Sequence, residues 1–307
     1  MRGYPGALKV VGTMVLPLVV GVDGSELSLH AVDWAVDEAV RHGLPLRVVH
    51  ASLWERYEGA ALADTPRVAP DAVTGHDLAE SVVAGAARRA GLRAPMLEIS
   101  TGVVPEDPVS ALLREALHAS AVVTGARGRG QIRELLLGSV SLAVAARAPC
   151  PVVVVRGRVQ NRQAADGRIV LGVGGATAPE AVRYAFREGA VCGWEVEAVR
   201  AWRHPAHRTA PHPLPAGEPA HAEEDHAAAL LDEALDGVVA DYPGVIVHRA
   251  LVEGSARHVL VARSSSGDLL VIGARRRHGL LGPQLGRVGH TVLHHSDCPV
   301  AVVPRQE

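Results

Sequence analysis

A glycine-rich segment is the feature of this sequence that most directly suggests chemistry. The run Gly125-Ala126-Arg127-Gly128-Arg129-Gly130 follows the apolar residues 121–124, and Gly138-Ser139-Val140-Ser141 opens a helical pattern. Glycines let a backbone approach a polyanion without a Cβ clash, while the free amides and positive dipole end of a helix attract negative charge. The spacing Gly-x2-Gly-x9-Gly-Ser therefore predicts a phosphate-binding loop. It differs from a P-loop, whose Gly-Lys-Ser/Thr ending is absent from the sequence.

An aspartate lies at the end of the first strongly apolar run. Asp23 follows Val22 and precedes Gly24-Ser25, where a strand should end and a helix should begin. Its carboxylate could accept a hydrogen bond from the amine of a base or from a ribose hydroxyl. The alternative is that Asp23 caps the first helix. Its combination with the glycine-rich segment favours contact with a ligand.

Signals for catalysis are weak in this sequence. It has no Gly-x-Ser-x-Gly elbow, no His-Glu-x-x-His pair and no lysine near the glycine-rich segment to stabilise a transferred phosphoryl group. We therefore expect no catalytic residues, and binding rather than turnover. Two alternatives stay open. One is a slow ATPase or a nucleotidyl or phosphoryl transferase that uses the same loop, and the other is a nucleotide-free protein-interaction module.

The composition indicates a globular chain in a reducing compartment. Its 307 residues, 48% of them hydrophobic, suffice for two cores of ordinary size. A formal net charge of -2 argues against nucleic acid as a partner. The apolar run at residues 10–22 is too short to span a bilayer, so no membrane association is expected. The odd set Cys150, Cys192 and Cys298 lacks a CxxC pair, which favours a cytoplasmic location.

The sequence repeats itself at an offset of 148 residues. This offset carries Gly125 to Gly273, Gly138 to Gly286, and Cys150-Pro151 to Cys298-Pro299. A unit of this length is too long for a solenoid repeat and predicts a whole domain that occurs twice. We expect domains at residues 1–157 and 168–307, joined by a polar linker at residues 158–167.

Apolar runs alternate with helical patterns in both copies, which predicts an α/β fold with parallel strands and crossover helices. We expect two tandem, doubly wound, open parallel sheets of five strands each. The predicted strands of the first copy are residues 18–23, 46–51, 96–101, 121–125 and 152–156. Those of the second copy are residues 168–173, 195–201, 245–250, 269–273 and 300–303. In such sheets ligands bind beyond the carboxyl ends of the strands, where the winding direction reverses.

Several segments together resemble the universal stress protein family, whose fold is adenine-nucleotide alpha hydrolase-like. They are Val20-Gly21-Val22-Asp23-Gly24-Ser25, Val49-His50-Ala51, the glycine-rich segment through Ser141, and the closing residues 148–155. The resemblance implies that the first domain binds ATP, with or without Mg²⁺. The residues that it places at the adenine are Val22, Asp23 and Ala51. Those that it places at the ribose and phosphates are Gly125, Gly128, Gly138, Ser139 and Val140, with added donors from the Ser139 and Ser141 hydroxyls and from Arg127.

The second copy departs from this family pattern. Gly174 stands at the aspartate position, Arg276 replaces the second loop glycine, and Arg287 replaces the serine after Gly286. A side chain in place of hydrogen blocks close approach of the backbone, so we expect an empty or remodelled second site. The alternative is that the arginines at 275, 276, 277 and 287 bind another anion. Histidines at 204, 207, 212, 221 and 226 lack carboxylate or thiolate partners at metal-site spacing, and no metal ligands are expected.

The family resemblance also has a consequence for assembly. It implies an intramolecular pseudo-dimer in which the last strands of the two halves, at residues 152–156 and 300–303, pair edge to edge. Such pairing would protect sheet edges that are otherwise exposed. A homodimer of two chains is left open.

Overall fold

A computed structural model describes residues 15–53, 75–126, 137–156, 167–174, 179–203, 222–274, 277–279 and 282–305. These residues form an α/β structure, as predicted. The first half contains β1 (Leu18–Gly21), α1 (Glu26–His42), β2 (Leu46–Ala51), α2 (Gly75–Arg93), β3 (Ile99–Val104), α3 (Pro108–Glu115), β4 (Ala121–Gly125), α4 (Ser139–Arg147) and β5 (Val152–Val155). Of the predicted linker, only Gly167 lies inside the described residues.

The second half repeats this order of elements. It contains β6 (Arg168–Gly172), α5 (Pro179–Cys192), β7 (Glu195–Trp202), α6 (Ala222–Leu235), α7 (Val238–Asp241), β8 (Val247–Glu253), α8 (Ala256–Arg263), β9 (Leu269–Ala274), β10 (Arg277–Gly279), β11 (Gly282–Gln284), α9 (Arg287–His295) and β12 (Val300–Pro304). Single 3-10 turns follow α3 and α8. The small antiparallel hairpin of β10 and β11 was not predicted.

The ten long strands of the described residues form one sheet in the order β3-β2-β1-β4-β5-β12-β9-β6-β7-β8. Neighbouring strands are parallel within each half. At the centre β5 and β12 pair antiparallel, with Val153 opposite Ala301. The predicted edge-to-edge pairing of the last strands is therefore confirmed, and it merges the two predicted sheets into one.

The strands next to this junction are apolar because both of their faces are covered by helices. Val152, Val153 and Val154 are at most 1% exposed. One core cluster lies between the sheet and helices α1, α2, α5 and α6, and the other lies against α3, α4, α8 and α9. Each cluster contains residues of both halves. The two halves therefore share their hydrophobic cores.

The two outermost strands begin two or three residues later than the sequence predicted. β3 begins at Ile99 rather than at residue 96, and Met96 is 97% exposed. β8 begins at Val247 rather than at residue 245. Both are edge strands with exposed polar positions, so their hydrophobic pattern is weaker than that of a strand buried on both faces. Across the described ranges, no helix has the length and apolar character needed to cross a membrane.

Candidate functional site

A cavity of about 520 Å³ opens beyond the carboxyl ends of β1, β2 and β4. β1 lies between β2 and β4, so this is the place where the strand order reverses in the first half. The volume is within the range of small-molecule sites, about 300–1,000 Å³. The lining residues are Gly21, Val22, Asp23, Ser28, Val49, His50, Ala51, Pro108, Leu112, Thr124, Gly125, Leu137, Gly138, Ser139, Val140 and Ser141.

The structure brings eight of the ten predicted site residues to this cavity. They are Val22, Asp23, Ala51, Gly125, Gly138, Ser139, Val140 and Ser141. The other two, Arg127 and Gly128, lie outside the described residues. The sequence therefore located the cavity, although the contacts of several of these residues differ from those expected.

Asp23 supports the start of α1 without being its cap. The N-cap is Ser25, whose hydroxyl oxygen accepts a hydrogen bond from the Ser28 amide at 3.2 Å. Asp23 Oδ1 in turn accepts from the Ser25 amide at 3.0 Å and from the Ser25 hydroxyl at 2.6 Å. These bonds hold the Asp23 carboxylate at the cavity wall. The simple alternative that Asp23 itself caps the helix is therefore wrong.

Gly125 is required by packing against α1 rather than by open space for a ligand. A Cβ at this position would lie 2.7 Å from the carbonyl oxygen of Leu27 and 3.1 Å from the Ser28 nitrogen. Both are backbone atoms of the first turn of α1, which cannot move aside as a flexible side chain could. The absent side chain therefore lets β4 end directly against the helix that carries Ser28 to the cavity.

The start of α4 presents backbone amides at the cavity. Its N-cap is Gly138, in an extended conformation (φ -64°, ψ 141°), and no side chain caps the helix. The Gly138 amide itself donates to the Ala126 carbonyl at 2.7 Å, so the phosphate contact predicted for it would require this bond to break. Within the described ranges the amides of Ser139, Val140 and Ser141 donate to no acceptor. Such free amides at a helix start are suited to bind an anion.

The Ser141 hydroxyl has a structural contact instead of the expected ligand contact. It is 5% exposed and donates to the Gly125 carbonyl at 2.7 Å. This bond ties the first turn of α4 to the end of β4. Because the hydroxyl proton is used there, the phosphate contact predicted for Ser141 would require this bond to break. The Ser139 hydroxyl has no such bond in the described part of the chain.

Besides Ser28, two polar residues at the cavity were not predicted as site residues. Thr124 is 4% exposed, and its hydroxyl has no hydrogen-bond partner among the described residues. The His50 ring contacts the Val22 carbonyl through Nδ1 at 2.7 Å. A carbonyl can only accept, so Nδ1 carries the proton and Nε2 is left as an acceptor. Each residue directly precedes a predicted site residue, Gly125 or Ala51. Thr124 belongs to the apolar run at residues 121–124, and His50 to the segment Val49-His50-Ala51, where only Ala51 was given a site role.

The corresponding position in the second half carries a different chemistry. Gly21 pairs with Val49 in the first half, and Gly172 pairs with Val199 in the second, so Arg200 occupies the position of His50. Two guanidinium nitrogens of Arg200, Nε and Nη1, are buried without a partner among the described residues. This burial lowers the pKa of Arg200. Gly174 occupies the position of Asp23. Among the described residues, the second half therefore has neither the aspartate nor the histidine that lines the cavity of the first half.

Comparison with known proteins gives consistent matches over nearly the whole chain. A sequence model of the universal stress protein family matches residues 14–156 and again residues 167–304. Universal stress protein Rv2005c of Mycobacterium tuberculosis is 33% identical over 311 residues, covering 94% of this chain and 97% of that protein. A universal stress protein of Mycolicibacterium smegmatis is 31% identical over 296 residues, covering 93% of this chain and 96% of that protein. The crystal structure of a universal stress protein from Archaeoglobus fulgidus has the same fold, with a TM-score of 0.67 at 18% identity and coverage of 94% and 98%.

Proposed function

The chain belongs to the universal stress protein family, and we propose that the cavity of its first half binds an adenine nucleotide, ATP in particular. The observation that carries this proposal is the meeting of a carboxylate and an uncapped helix start in one cavity. Asp23 lines this cavity together with Ser139 and Val140, the first two residues of α4. A nucleotide needs both: acceptors for its base or ribose and donors for its phosphates.

The polarity of the cavity favours one orientation of the nucleotide. Phosphates belong at the start of α4, where the helix dipole adds to the amide donors. The base and ribose belong toward the ends of β1 and β2, beside Asp23, Ala51 and the ring of His50. Most of the lining is apolar, which suits the faces of a purine.

The residues of the cavity favour binding over turnover. Asp23 is the one carboxylate among the lining residues of the described chain, and no lysine lies beside it. Mg²⁺ prefers several oxygen ligands, so it would enter as part of the bound nucleotide rather than through a protein site. We propose that occupancy of the cavity serves a nucleotide-dependent stress or signalling role in the cytoplasm, where Cys150, Cys192 and Cys298 stay free thiols.

The decisive test removes one backbone amide without removing the helix. Ser139 is the first residue of α4, a position where proline is tolerated, and the extended backbone of Gly138 suits a residue before proline. Ser139→Pro therefore deletes the Ser139 amide and hydroxyl, while Ser139→Ala deletes the hydroxyl alone. A hydrogen bond to a charged group contributes about 1.5–3 kcal/mol, so the amide loss should weaken ATP binding roughly 10- to 150-fold beyond Ser139→Ala.

Titration calorimetry with ATP, adenosine and GTP measures these differences. The matched control is Arg287→Pro, the same change at the first residue of α9, which should leave ATP affinity unchanged. Adenosine should bind equally to Ser139→Pro and Ser139→Ala, because it carries no phosphate. Equal ATP affinity in these two variants would reject the phosphate position, and absence of ATP binding by the unaltered protein would reject the function. Phosphate release that disappears in Ser139→Pro would instead support the ATPase alternative.

A further inference from the structure

Two carboxylates and an imidazole meet where the two halves pack against each other. Glu38 and His42 lie on α1, and Glu188 lies on α5, which contacts α1. His42 Nε2 is 2.8 Å from Glu188 Oε2 and 3.3 Å from Glu38 Oε1. The side chains of Glu38, His42 and Glu188 are 7%, 12% and 3% exposed. This cluster is separate from the nucleotide cavity, none of whose lining residues belongs to it.

Each carboxylate of the cluster turns one oxygen inward and the other toward an arginine. Glu38 Oε2 is 2.7 Å from Arg41, and Glu188 Oε1 is 3.6 Å from Arg187. The inward atoms are Glu38 Oε1, Glu188 Oε2 and His42 Nε2, and the three residues offer ligand atoms within 4.8 Å of one another. The contact with Arg41 is a hydrogen bond and the contact with Arg187 is a longer ion pair. Ligands around a metal are commonly oriented by outer partners.

Two carboxylates buried this close together are stabilised by a proton on one of them or by a positive charge between them. In the described structure His42 supplies this charge, and its hydrogen bond with Glu188 raises the pKa of His42 to about 9. Burial raises the pKa of Glu188. Tyr184 and Cys192 also face the cluster, and burial raises the pKa of both, so neither adds a negative charge near neutral pH. Position favours a cation here, because two buried carboxylate oxygens lie 3.3 and 2.8 Å from the same imidazole nitrogen.

A small cavity adjoins the inward atoms. Its volume is about 100 Å³, and its lining includes Glu38, His42, Glu188 and Tyr184. This is enough space for a water molecule, which needs roughly 30 Å³ in the liquid. The 3.3 Å between His42 Nε2 and Glu38 Oε1 matches roughly the distance between two ligands of a tetrahedral ion with bonds of about 2.0–2.1 Å, whereas the 2.8 Å between His42 Nε2 and Glu188 Oε2 must lengthen to admit the ion. Three protein ligands and a water would complete four-coordination.

We propose that Glu38, His42 and Glu188 form a site for a divalent transition metal such as Zn²⁺, which clamps the two halves together. One imidazole nitrogen and two carboxylate oxygens are a ligand set that suits zinc. The ion displaces the proton from His42 Nε2 and takes over the charge compensation. Because ligands come from both halves, binding stabilises the paired arrangement.

The symmetry of the two halves explains why the sequence did not indicate this site. α1 and α5 are each followed by a glycine with positive φ, Gly43 at 62° and Gly193 at 68°. Glu38 and Glu188 each lie five residues before that glycine, so they are the same position in the two copies. His42 has Cys192 as its counterpart. Ligands separated by 150 residues have no metal-site spacing, and only the packing of the two halves brings them together.

The test uses the full-length protein in which histidines 204, 207, 212 and 221 are replaced by asparagine, so that this histidine-rich stretch contributes no zinc binding. After chelator treatment, ZnCl₂ titration calorimetry should show one saturable site. Replacing a residue that only hydrogen-bonds to a metal ligand lowers metal affinity roughly 10- to 100-fold. Glu188→Gln and His42→Gln remove ligands themselves, so each should lower the zinc affinity by more than this. His248→Gln removes an exposed histidine–glutamate pair with Glu195 and should leave zinc affinity unchanged.

Thermal unfolding supplies an independent measurement on the same proteins. ZnCl₂ should raise the Tm of the parent and of His248→Gln, and should not raise that of Glu188→Gln or His42→Gln. Both variants keep side chains of similar size, and circular dichroism without metal verifies that they fold. Should one of them fail to fold, the other carries the comparison. Absence of saturable zinc binding in the parent, or zinc affinity unaltered in a folded variant, would overturn the proposal and leave the cluster as an ion pair between the halves.

Discussion

Gly125 illustrates how one position sets the geometry of the nucleotide cavity. We expect Gly125→Ala to destabilise the protein by about 1–3 kcal/mol, the usual cost of forcing extra volume into packed structure. The reason is the 2.7 Å approach of the new Cβ to the Leu27 carbonyl. Urea unfolding measures the change. The control is Gly85→Ala in α2, where an added Cβ would have no neighbouring element within 4 Å. Since alanine favours a helix more than glycine does, this variant should gain about 0.5–1 kcal/mol of stability. Equal stabilities of the two variants would contradict this account.

The cavity residues also show what a sequence can and cannot predict about a site. A glycine indicates that space or conformational freedom is needed, but not which neighbour requires it, and for Gly125 the neighbour is the α1 backbone. A serine indicates a hydroxyl without its partner, and for Ser141 the partner is the Gly125 carbonyl. Asp23 and Ser139 lie at the cavity as predicted. The hydrophobic pattern of the sequence shows where a strand ends and where a helix begins, and these two residues lie at such positions.

Helix α9 of the second half reaches the rim of the first cavity. His294 Nδ1 accepts a hydrogen bond from the Leu137 amide at 3.4 Å, and Leu137 lines the cavity. An arginine of the first half, Arg156, donates to the Leu293 carbonyl of the same helix. Burial lowers the pKa of His294, and the charges of His290, His295 and Arg156 lower it further. Protonation would also abolish the contact with Leu137, because a protonated Nδ1 cannot accept.

This contact predicts a pH dependence of stability. The folded pKa of His294 lies below the unfolded value, so between the two values the unfolded chain holds the extra proton and stability falls as the pH falls. His42 and Glu188, whose folded pKa values are raised, contribute the opposite slope, so the prediction concerns the difference between two proteins. As the pH drops below about 6.5, the unfolding free energy of the parent should decrease relative to that of His294→Gln. Urea unfolding between pH 5 and 8 measures how the unfolding free energy of the parent and of His294→Gln changes with pH. His258→Gln, a change at an exposed histidine of α8, should keep the parent slope. A parent-like slope in His294→Gln would disprove the assignment.

Strands and helices differ in how well the sequence located them. β4 was predicted with its observed bounds, because a strand covered on both faces gives an unbroken apolar run. β3 and β8 were misplaced by two or three residues, since exposed positions such as Ser100 and Arg249 interrupt the pattern. The start of α1 at Glu26 depends on the bond between Ser25 and Ser28, a detail of one turn that the apolar spacing of a helix does not reveal.

The whole molecule is organised around the antiparallel pairing of β5 and β12. Both core clusters cross this junction, and the side chain of Arg41 lies 5.7 Å from the ring of Trp194 in the other half. The duplicated sequence predicted two units, and the resemblance to a known family predicted how they pair. The shared cores could not be read from the sequence, because residues of the two halves that contact each other are far apart along the chain.

These shared cores predict that the two halves unfold together. The parent should show one calorimetric transition whose measured and van't Hoff enthalpies agree. Val153 is 0% exposed and pairs with Ala301 at the junction. Val153→Asp leaves an unpaired charge there and should cost more than about 3 kcal/mol, a large part of the usual 5–15 kcal/mol of a folded protein. Leu92→Asp, at a position 80% exposed, should cost less than about 1 kcal/mol. Two separate transitions in the parent, or equal losses in the two variants, would show that the halves fold independently and that their pairing contributes little to stability.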